Sequence, residues 1–473
     1  MILSKASFLD LLVIIALPML FFSCNNSYID QIDRGNGYKY SPGHPEFRIS
    51  TSSYYDVQDS AKLNISVEIV YGSLIYKKPK EFFEATANMD IEVIHKSNSN
   101  NTNQLIQYPI KIREKEANIT TSQETLFITK EFTVKPGEYL INITLTDSLS
   151  DKSTFRSDEI TIPNLNSDIS SITDIKMLTK SSGNTSFSPV TTYDISDSID
   201  SLKFVFQVLK QKADKPLTLD MKLYRFEADS SFARRMNSNN YSTGSIFYKG
   251  IDYDERKLVN SRRRTLTETG SVLIELVFLK LDRGNYRLEV ISQGDGELFK
   301  GIDFSVKSKN YPTLKSASEL AKPLAYLMTR DEYESMMAIK DQDSLKKSVD
   351  RFWLRNIQNS STARSTLSLY YERVEEANKL FANFKEGWKT DMGMMYILFG
   401  PPWRVNQSVR NMTWSYSYNL DDPERNFNFF SPKMNNKFFP FDHYVLERNS
   451  FYYNLYYQQI QLWLSGDILS RDI

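Results

Sequence analysis

The sequence predicts a multidomain protein in which two all-β sandwiches are followed by an α+β C-terminal domain. In two separate regions apolar and polar residues alternate with a period of two, which is typical of half-buried strands. Beyond about Ser316 the apolar residues recur with the period of a helix. The chain has 473 residues, which at about 150 residues per domain is enough for three domains.

Residues 1–23 are predicted to be a lipoprotein signal peptide. Lys5 supplies a positive charge, and the apolar run over 11–22 is shorter than the roughly 20 residues that a membrane-spanning helix needs. Ser23-Cys24 ends a segment that resembles a bacterial lipobox, in which the cysteine becomes the acylated N-terminus. Because Cys24 is the single cysteine, disulfides are excluded and we expect it to be lipidated.

Residues 24–45 are rich in Gly and Pro toward their end and are predicted to be a tether. The first sandwich is predicted over residues 46–163. Its clearest strand carries four alternating apolar residues, Leu63, Ile65, Val67 and Ile69. A second strong strand is predicted over Leu126–Val134, and a closing strand is predicted near Glu159–Ile162.

The second sandwich is predicted over residues 170–308 and repeats the plan of the first. Leu202, Phe204, Phe206 and Val208 alternate in the same way. In each region a turn glycine is followed two residues later by a tyrosine, Tyr139 in the first and Tyr286 in the second. This pattern resembles the tyrosine corner of immunoglobulin-like sandwiches, so we expect that fold for both domains.

A polar insertion over 227–264 interrupts the second sandwich and ends in Arg262-Arg263-Arg264. Such a triplet could contact lipid headgroups or an acidic partner. We favour a solvated loop, because the chain has 58 basic and 58 acidic residues and therefore no net charge. The same balance gives no reason to expect a nucleic-acid partner.

The C-terminal domain is predicted over residues 316–473. Thr329 and Glu332 form a capping box that begins one helix, and further helices are predicted over Ser344–Asn356 and Ala363–Phe384. A strand is predicted over Met394–Phe399, ended by the turn Gly400-Pro401-Pro402.

This region contains an ordered series of motifs: Gly387-Trp388-Lys389-Thr390-Asp391, then Tyr396–Pro402, then Trp414-Ser415-Tyr416. The series resembles the GWxTD-domain family of exported Bacteroidota proteins, usually described as of unknown function. The resemblance implies an exported lipoprotein with β domains upstream. Met392 stands where the family commonly has a basic residue, so no role of a basic side chain carries over.

We interpret the motif as structural rather than as a binding or catalytic site. Gly387 suits a left-handed helix end, and Trp388 is large enough to hold that end against the following strand. Thr390 and Asp391 are expected to accept hydrogen bonds from nearby backbone N–H groups. Gly400, Pro401 and Pro402 are expected to end the strand abruptly.

No catalytic, cofactor-binding or metal-binding motif is found in the sequence. His44, His95 and His443 fall in different predicted domains, which argues against a shared metal site. A carboxylate pair of Asp391 with Glu386 or Asp442 stays open as an alternative. We expect no catalytic residue and no cofactor.

Asp-Ser followed by a small apolar residue occurs five times and resembles the O-glycosylation sequon of exported Bacteroidota proteins. Capping of strands and helices explains the pattern equally well. The serines concerned are Ser60, Ser148, Ser198, Ser201 and Ser344.

We therefore expect a non-catalytic outer-membrane lipoprotein that faces the periplasm and acts as a scaffold or accessory subunit of an envelope complex, such as one around an outer-membrane β-barrel. Its expected partners are membrane lipid through Cys24 and other outer-membrane proteins or lipoproteins. Trp403, Trp414 and Tyr416 are the predicted partner contacts. The alternative is a glycan-binding or glycan-active lipoprotein that uses exposed aromatic side chains.

Overall fold

The computed structural model describes residues 31–33, 40–97, 104–212, 215–236, 250–293, 298–417, 423–432 and 441–470. The predicted signal peptide and Cys24 lie outside these residues. The predicted fold class is confirmed, since two β-sandwiches precede a domain of helices and a small sheet. Within the described ranges no helix is long and apolar enough to span a membrane.

In the described part of the first sandwich, seven strands form two antiparallel sheets. The strands up to its end are β1 Ile32–Asp33, β2 Phe47–Tyr55, β3 Ala61–Val70, β4 Phe83–His95, β5 Gln104–Glu114, β6 Thr125–Thr133, β7 Gly137–Asp147 and β8 Ser153–Ile162. One sheet has the order β2-β3-β6 and the other β5-β4-β7-β8. The alternating side chains of β3 are fully buried between them, as the period of two predicts.

The second sandwich has the same two-sheet plan with additional short strands. Its strands are β9 Ser171–Ile172, β10 Lys176–Ser181, β11 Ser188–Pro189, β12 Asp194–Ser196, β13 Ile199–Lys210, β14 Leu217–Ala228, β15 Ile251–Leu266, β16 Gly270–Leu279, β17 Gly284–Gln293 and β18 Phe299–Lys307. The sheet orders are β11-β10-β13-β16 and β1-β18-β17-β14-β15. β1 comes from the predicted tether, so that segment is in part a strand of this sandwich.

The tyrosine corners form in both sandwiches. The hydroxyl of Tyr139 donates to the carbonyl of Lys135 at 2.9 Å, and the hydroxyl of Tyr286 donates to the carbonyl of Asp282 at 2.8 Å. Each bond spans four residues and fixes the turn between the two sheets. The immunoglobulin-like character of both domains is thereby confirmed.

The prediction that Arg262, Arg263 and Arg264 lie on a solvated loop is wrong, because all three belong to β15. β15 pairs with β14 along its length, and Arg263 forms an ion pair with Asp220 at 2.6 Å. The side chains of β15 are exposed on both faces over most of the strand. An edge strand of this kind shows no alternation in hydropathy, so its sequence resembles a polar loop.

In the described residues of the C-terminal domain, six helices pack around a four-stranded sheet of order β19-β20-β21-β22. The helices are α1 Ala317–Ala321, α2 Arg330–Met337, α3 Gln342–Asn356, α4 Ser360–Leu380, α5 Asp391–Phe399 and α6 Tyr452–Ser465. The strands are β19 Arg404–Gln407, β20 Asn411–Tyr416, β21 Arg425–Phe430 and β22 Val445–Leu446. The capping box at Thr329 and Glu332 is confirmed.

The predicted strand Met394–Phe399 is instead part of helix α5. Every residue of α5 is buried, so the helix is apolar on all sides. A short apolar run without periodicity does not distinguish a buried strand from a buried helix. The hydroxyl oxygen of Thr390 caps the helix by accepting a hydrogen bond from the N–H of Gly393 at 3.0 Å. Helix α4 also ends earlier than predicted, at Leu380 rather than Phe384.

The two sandwiches lie side by side. The end of the first that carries its tyrosine corner contacts the end of the second that is opposite its own tyrosine corner. Tyr55 at the end of β2 and the side chain of Gln207 in β13 exchange two hydrogen bonds, at 2.7 and 2.8 Å. At the other end of the first sandwich, Glu46 pairs with Lys379 of α4 at 2.9 Å. The C-terminal domain therefore contacts both sandwiches.

Candidate functional site

The segment Gly387–Asp391 lies where the C-terminal domain meets the second sandwich. Gly387 begins a short 3-10 turn, Gly387–Lys389, and its φ is not in the left-handed region. A Cβ atom on Gly387 would lie under 3.0 Å from the carbonyl oxygen of Ala377 in α4. The prediction that Gly387 ends a helix is therefore wrong, and the glycine instead permits contact between two backbones.

Trp388 is 5% exposed, as its predicted core position requires. Its carbonyl accepts a hydrogen bond from the hydroxyl of Tyr326 at 2.7 Å. Its ring stacks on Phe232, with the ring centroids 6.3 Å apart. Because Phe232 follows β14 of the second sandwich, Trp388 contacts another domain and not the expected neighbouring strand.

Thr390 and Asp391 both bond to backbone N–H groups, but over very different distances along the chain. Thr390 also donates from its hydroxyl to the carbonyl of Gly387 at 2.8 Å, which closes the turn. Asp391 accepts from the N–H of Leu446 at 2.7 Å and pairs with Arg448 at 2.6 and 3.0 Å. The expectation of a local partner for Asp391 is corrected, since both of its partners lie more than 50 residues away.

These contacts surround residues 229–236, a segment of the second sandwich that enters the C-terminal domain. Ala233 and Met236 of this segment are 4% and 1% exposed within the core of that domain. Arg448 donates to the carbonyl of Arg234 at 2.5 Å, which connects the segment to Asp391. We call this segment and the residues that hold it the domain joint.

A lysine strengthens the domain joint from the other side. The ammonium group of Lys385 pairs with Asp229 at 2.8 Å and donates to the carbonyl of Ser231 at 2.9 Å. Although burial raises the pKa of Asp229, Lys385 and the hydrogen bonds from Ser231 together outweigh it and hold that pKa below its ordinary value. The sequence gives no signal for this segment, because it falls in a polar insertion with no periodic pattern.

A second set of contacts joins β17 and β18 to the loop before the motif. The side chains of Asn285 and Lys307 donate to the carbonyls of Phe384 at 3.0 Å and Asn383 at 3.1 Å. Two titratable side chains lie near these contacts, Asp194 and His443. Burial raises the pKa of Asp194 to about 6 and lowers the pKa of His443 to about 4.

Arginine, rather than a second carboxylate, is the side-chain partner seen at Asp391, for which the sequence left open a pair with Glu386 or Asp442. Both carboxylate oxygens of Asp391 bond to Arg448. Glu386 pairs instead with Lys389 at 2.5 Å. Although burial raises the pKa of Glu386, Lys389 and Lys307 outweigh it and lower that pKa. The described arrangement is thus two ion pairs rather than an acid and a base beside each other.

Gly400 follows α5 and has a φ of 80°, so this residue does occupy the left-handed region. Its carbonyl accepts a hydrogen bond from the hydroxyl of Tyr416 at 3.1 Å. Gly400-Pro401-Pro402 therefore ends a helix, not the predicted strand, and turns the chain into β19.

Only one of the three predicted partner contacts is accessible. Trp403 is 56% exposed, whereas Trp414 and Tyr416 are 3% and 2% exposed and pack in the core. The prediction is corrected for the latter two, whose side chains face inward from β20. Trp403 precedes β19, which has a single strand neighbour among the described residues. Val405 and Val409 are also exposed, and we call these three residues the β19 edge surface.

The five Asp-Ser serines differ in exposure. Ser148 and Ser344 are exposed, and Ser60 and Ser198 are partly exposed. Ser201 is buried in β13, which removes it as an acceptor in the folded protein. Capping accounts for one case directly, because the carboxylate of Asp147 accepts from the N–H groups of Leu149 at 2.9 Å and Ser150 at 2.8 Å.

A cleft of about 280 Å³ lies between the two sandwiches, away from the motif. Asp174 and Asp303 on its wall are paired with Lys300 and Arg287, each at 2.6 Å. Across the described part of the chain, no group of three or more His, Cys, Asp or Glu side chains is placed to hold a metal ion.

Comparisons with known proteins agree with the C-terminal motif. Residues 288–465 match the family described as GWxTD domain. The match begins in β17, so it includes the last strands of the second sandwich as well as the helical domain. The motif Gly387–Asp391, which contributes to the domain joint, lies within the matched residues.

The search of curated proteins found no match. Among solved structures, red sea bream transglutaminase aligns at 9% identity over 55% of this chain and 31% of that one, with a TM-score of 0.18. Salmonella alpha-2-macroglobulin aligns at 12% identity over 58% and 17%, with a TM-score of 0.18. Escherichia coli alpha-2-macroglobulin aligns at 14% identity over 57% and 17%, with a TM-score of 0.16.

This chain thus spans less than a third of the length of each of these three proteins. With TM-scores this low, the alignments support no statement about activity.

Proposed function

We propose that this protein is a non-catalytic lipoprotein, held on the periplasmic face of the outer membrane by acylated Cys24, which acts as a scaffold or accessory subunit of a cell-envelope complex. The source would be a member of the Bacteroidota. The observation that carries the proposal is the β19 edge surface. It places an exposed tryptophan and two exposed valines beside a strand at the edge of a sheet.

An edge strand presents backbone N–H and C=O groups that another chain can pair with. Exposed apolar side chains beside such an edge add a hydrophobic contact to that pairing. Trp403 supplies the kind of large aromatic anchor that dominates many protein interfaces. The guanidinium of Arg404 lies 5.0 Å from the centre of its ring, so the indole keeps one defined neighbour.

The motif residues support a structural rather than a chemical role. Gly387, Trp388, Thr390 and Asp391 are all buried, and their polar atoms bond to other parts of the protein. A catalytic or ligand-binding group needs an accessible atom at the reacting position. The motif therefore builds the domain that carries the β19 edge surface.

The test is a mild-detergent pull-down of the tagged full-length protein, with partners identified by mass spectrometry. Trp403→Ala should reduce recovery of an envelope protein at least tenfold. Phe155→Ala is the matched control, because Phe155 is also 56% exposed but lies on β8 of the first sandwich. Equal recovery from both variants and the wild type would contradict the proposed surface.

The alternative, a glycan-binding or glycan-active lipoprotein, would be favoured by a cleft with an acidic pair beside an exposed tryptophan. The cleft described above is lined by residues of the two sandwiches and the strand β1, and Trp403 is not among them. No specific contact of the described residues favours this alternative.

A further inference from the structure

The strand β1 fixes the direction in which the N-terminal segment joins the molecule. β1 runs parallel to β18, with Ile32 beside Gly301 and Asp33 beside Ile302. The N–H of Gly301 donates to the carbonyl of Gln31 at 3.1 Å. Gln31 therefore lies on the side of Ile32 toward Phe299, where β18 begins, and the chain joins the sandwich from that end.

The same end of the second sandwich adjoins the end of the first that carries its tyrosine corner. β13 ends there at Lys210, and the side chain of Gln211 donates to the carbonyl of Leu165 at 2.6 Å. Tyr55 and Gln207 connect the two sandwiches at this level. We call this shared end of the two sandwiches the anchor end.

The C-terminal domain occupies the opposite end of the second sandwich. Asn285 at the start of β17 and Lys307 at the end of β18 make the contacts with Phe384 and Asn383 described above. Lys307 lies six residue positions beyond Gly301 in β18, which at about 3.3 Å per position is about 20 Å.

The anchor end carries exposed apolar side chains on its connections. Val57, in the turn between β2 and β3, is 101% exposed, and Ile169, after β8, is 70% exposed. Leu105, at the start of β5, is 61% exposed. Lys135 and Lys212 are exposed at this end as well.

Acidic residues also lie at the anchor end, among them Asp59, Asp168 and Glu268. The end is therefore not strongly cationic, and attraction to anionic lipid alone would not hold it on a membrane. Exposed apolar side chains on loop tips can enter the headgroup region of a bilayer once an acyl anchor holds the protein there.

We propose that the anchor end rests on the surface of the phospholipid bilayer, so that the GWxTD domain and the β19 edge surface are held on the side away from the membrane. The inference rests on the proposed acylation of Cys24. Cys24 precedes Gln31 by seven residues, which span at most about 25 Å. At the opposite end a bilayer would lie beyond about 20 Å of sandwich and beyond the C-terminal domain that contacts Asn285 and Lys307, and the return alone would use most of the 25 Å.

The test uses the full acylated protein in phosphatidylethanolamine–phosphatidylglycerol vesicles that contain a headgroup spin-labelled lipid. The mature chain has no cysteine other than Cys24, so single cysteines can be introduced and labelled with a fluorophore. The variants are Val57→Cys and Ile169→Cys at the anchor end. The control is Val409→Cys, because Val409 is 95% exposed on the C-terminal domain.

Quenching of the labels at positions 57 and 169 should exceed quenching at position 409 at least threefold. Equal quenching at the three positions, or stronger quenching at position 409, would overturn the inference. The mass of the N-terminal peptide separates the two proposals. Acylated Cys24 with unquenched labels at 57 and 169 overturns the orientation alone, whereas unmodified Cys24 overturns the anchoring and the orientation together.

Discussion

Gly387 of the motif and Gly393 of α5 each make a very close backbone approach. A Cβ atom on Gly393 would lie under 3.0 Å from the carbonyl oxygen of Gly387, and one on Gly387 would meet Ala377 in the same way. Each glycine therefore allows two backbone segments to touch. The need for glycine here comes from tertiary packing, which is why the sequence alone suggested a helix end instead.

Gly387→Ala should lower the free energy of unfolding by about 3 kcal/mol or more, because backbone atoms of α4 must move to admit a methyl group. The control is Gly183→Ala, whose added Cβ would meet nothing within 4 Å. Gly183 has a φ of 85°, so the control should cost about 1 kcal/mol. Calorimetric unfolding of both variants measures the two losses of stability. A smaller loss of stability in Gly387→Ala than in Gly183→Ala would contradict the prediction.

Asp391→Asn should destabilise the C-terminal domain by about 3–5 kcal/mol. The substitution leaves the charge of Arg448 buried without its partner, and both side chains are at most 10% exposed. All five tryptophans lie in this domain, so their fluorescence in urea reports its unfolding.

Glu334→Gln is the control for Asp391→Asn, because its ion pair with Arg330 is exposed on the surface of α2. It should change stability by less than about 1 kcal/mol. Similar losses in the two variants would show that the Asp391–Arg448 pair is not an important contact of the domain joint.

At the scale of elements, the sequence predicts the strands of the sandwiches well. The alternation in β3 and β13 comes from burial of one face, and the tyrosine corners are local contacts across four residues. The capping box of α2 is equally local. Features whose cause lies nearby along the chain can therefore be predicted.

Three elements are not predicted, each for a physical reason. α5 is buried on every side and has no periodicity. β15 is exposed on both faces and resembles a loop. The segment 229–236 acquires its role only from contacts with Lys385, Trp388 and Arg448 in another domain. Likewise, the burial of Trp414 and Tyr416 depends on which face of β20 is turned inward.

Two titratable residues beside the loop that precedes the motif, Asp194 and His443, predict opposing effects of pH on stability. The pKa of Asp194 is raised to about 6, so the folded state binds more protons than the unfolded state between pH 4 and 6. The free energy of unfolding should therefore fall through this range because of Asp194. The pKa of His443 is lowered to about 4, so His443 contributes the opposite slope between pH 4 and 6.5.

The substitution Asp194→Asn removes the contribution that makes the free energy of unfolding fall as the pH rises from 4 to 6. The free energy of unfolding of this variant, minus that of the wild type, should rise from pH 4 to pH 6 by about 1–3 kcal/mol. For His443→Gln the same difference should fall over that range. Chemical unfolding at several pH values measures both, and a difference that does not vary with pH would contradict the assignment to these groups.

At the scale of the whole molecule, direct contacts connect the three domains in order, from the anchor end to the β19 edge surface. The two sandwiches are joined through Tyr55 and Gln207, and the domain joint connects the second sandwich to the GWxTD domain. The motif residues Trp388 and Asp391 thus take part in the contact between the C-terminal domain and the second sandwich.

The most direct test of this account compares Trp388→Ala with Trp403→Ala in the same tagged full-length protein. Two quantities are measured for each variant, the stability of the C-terminal domain by tryptophan fluorescence and the recovery of envelope partners. Trp388→Ala should lose about 3–5 kcal/mol of stability, whereas Trp403→Ala should stay within about 0.5 kcal/mol of the wild type and lose its partners. Loss of partners from Trp388→Ala at unchanged stability would contradict the account, because the motif would then be the binding site itself.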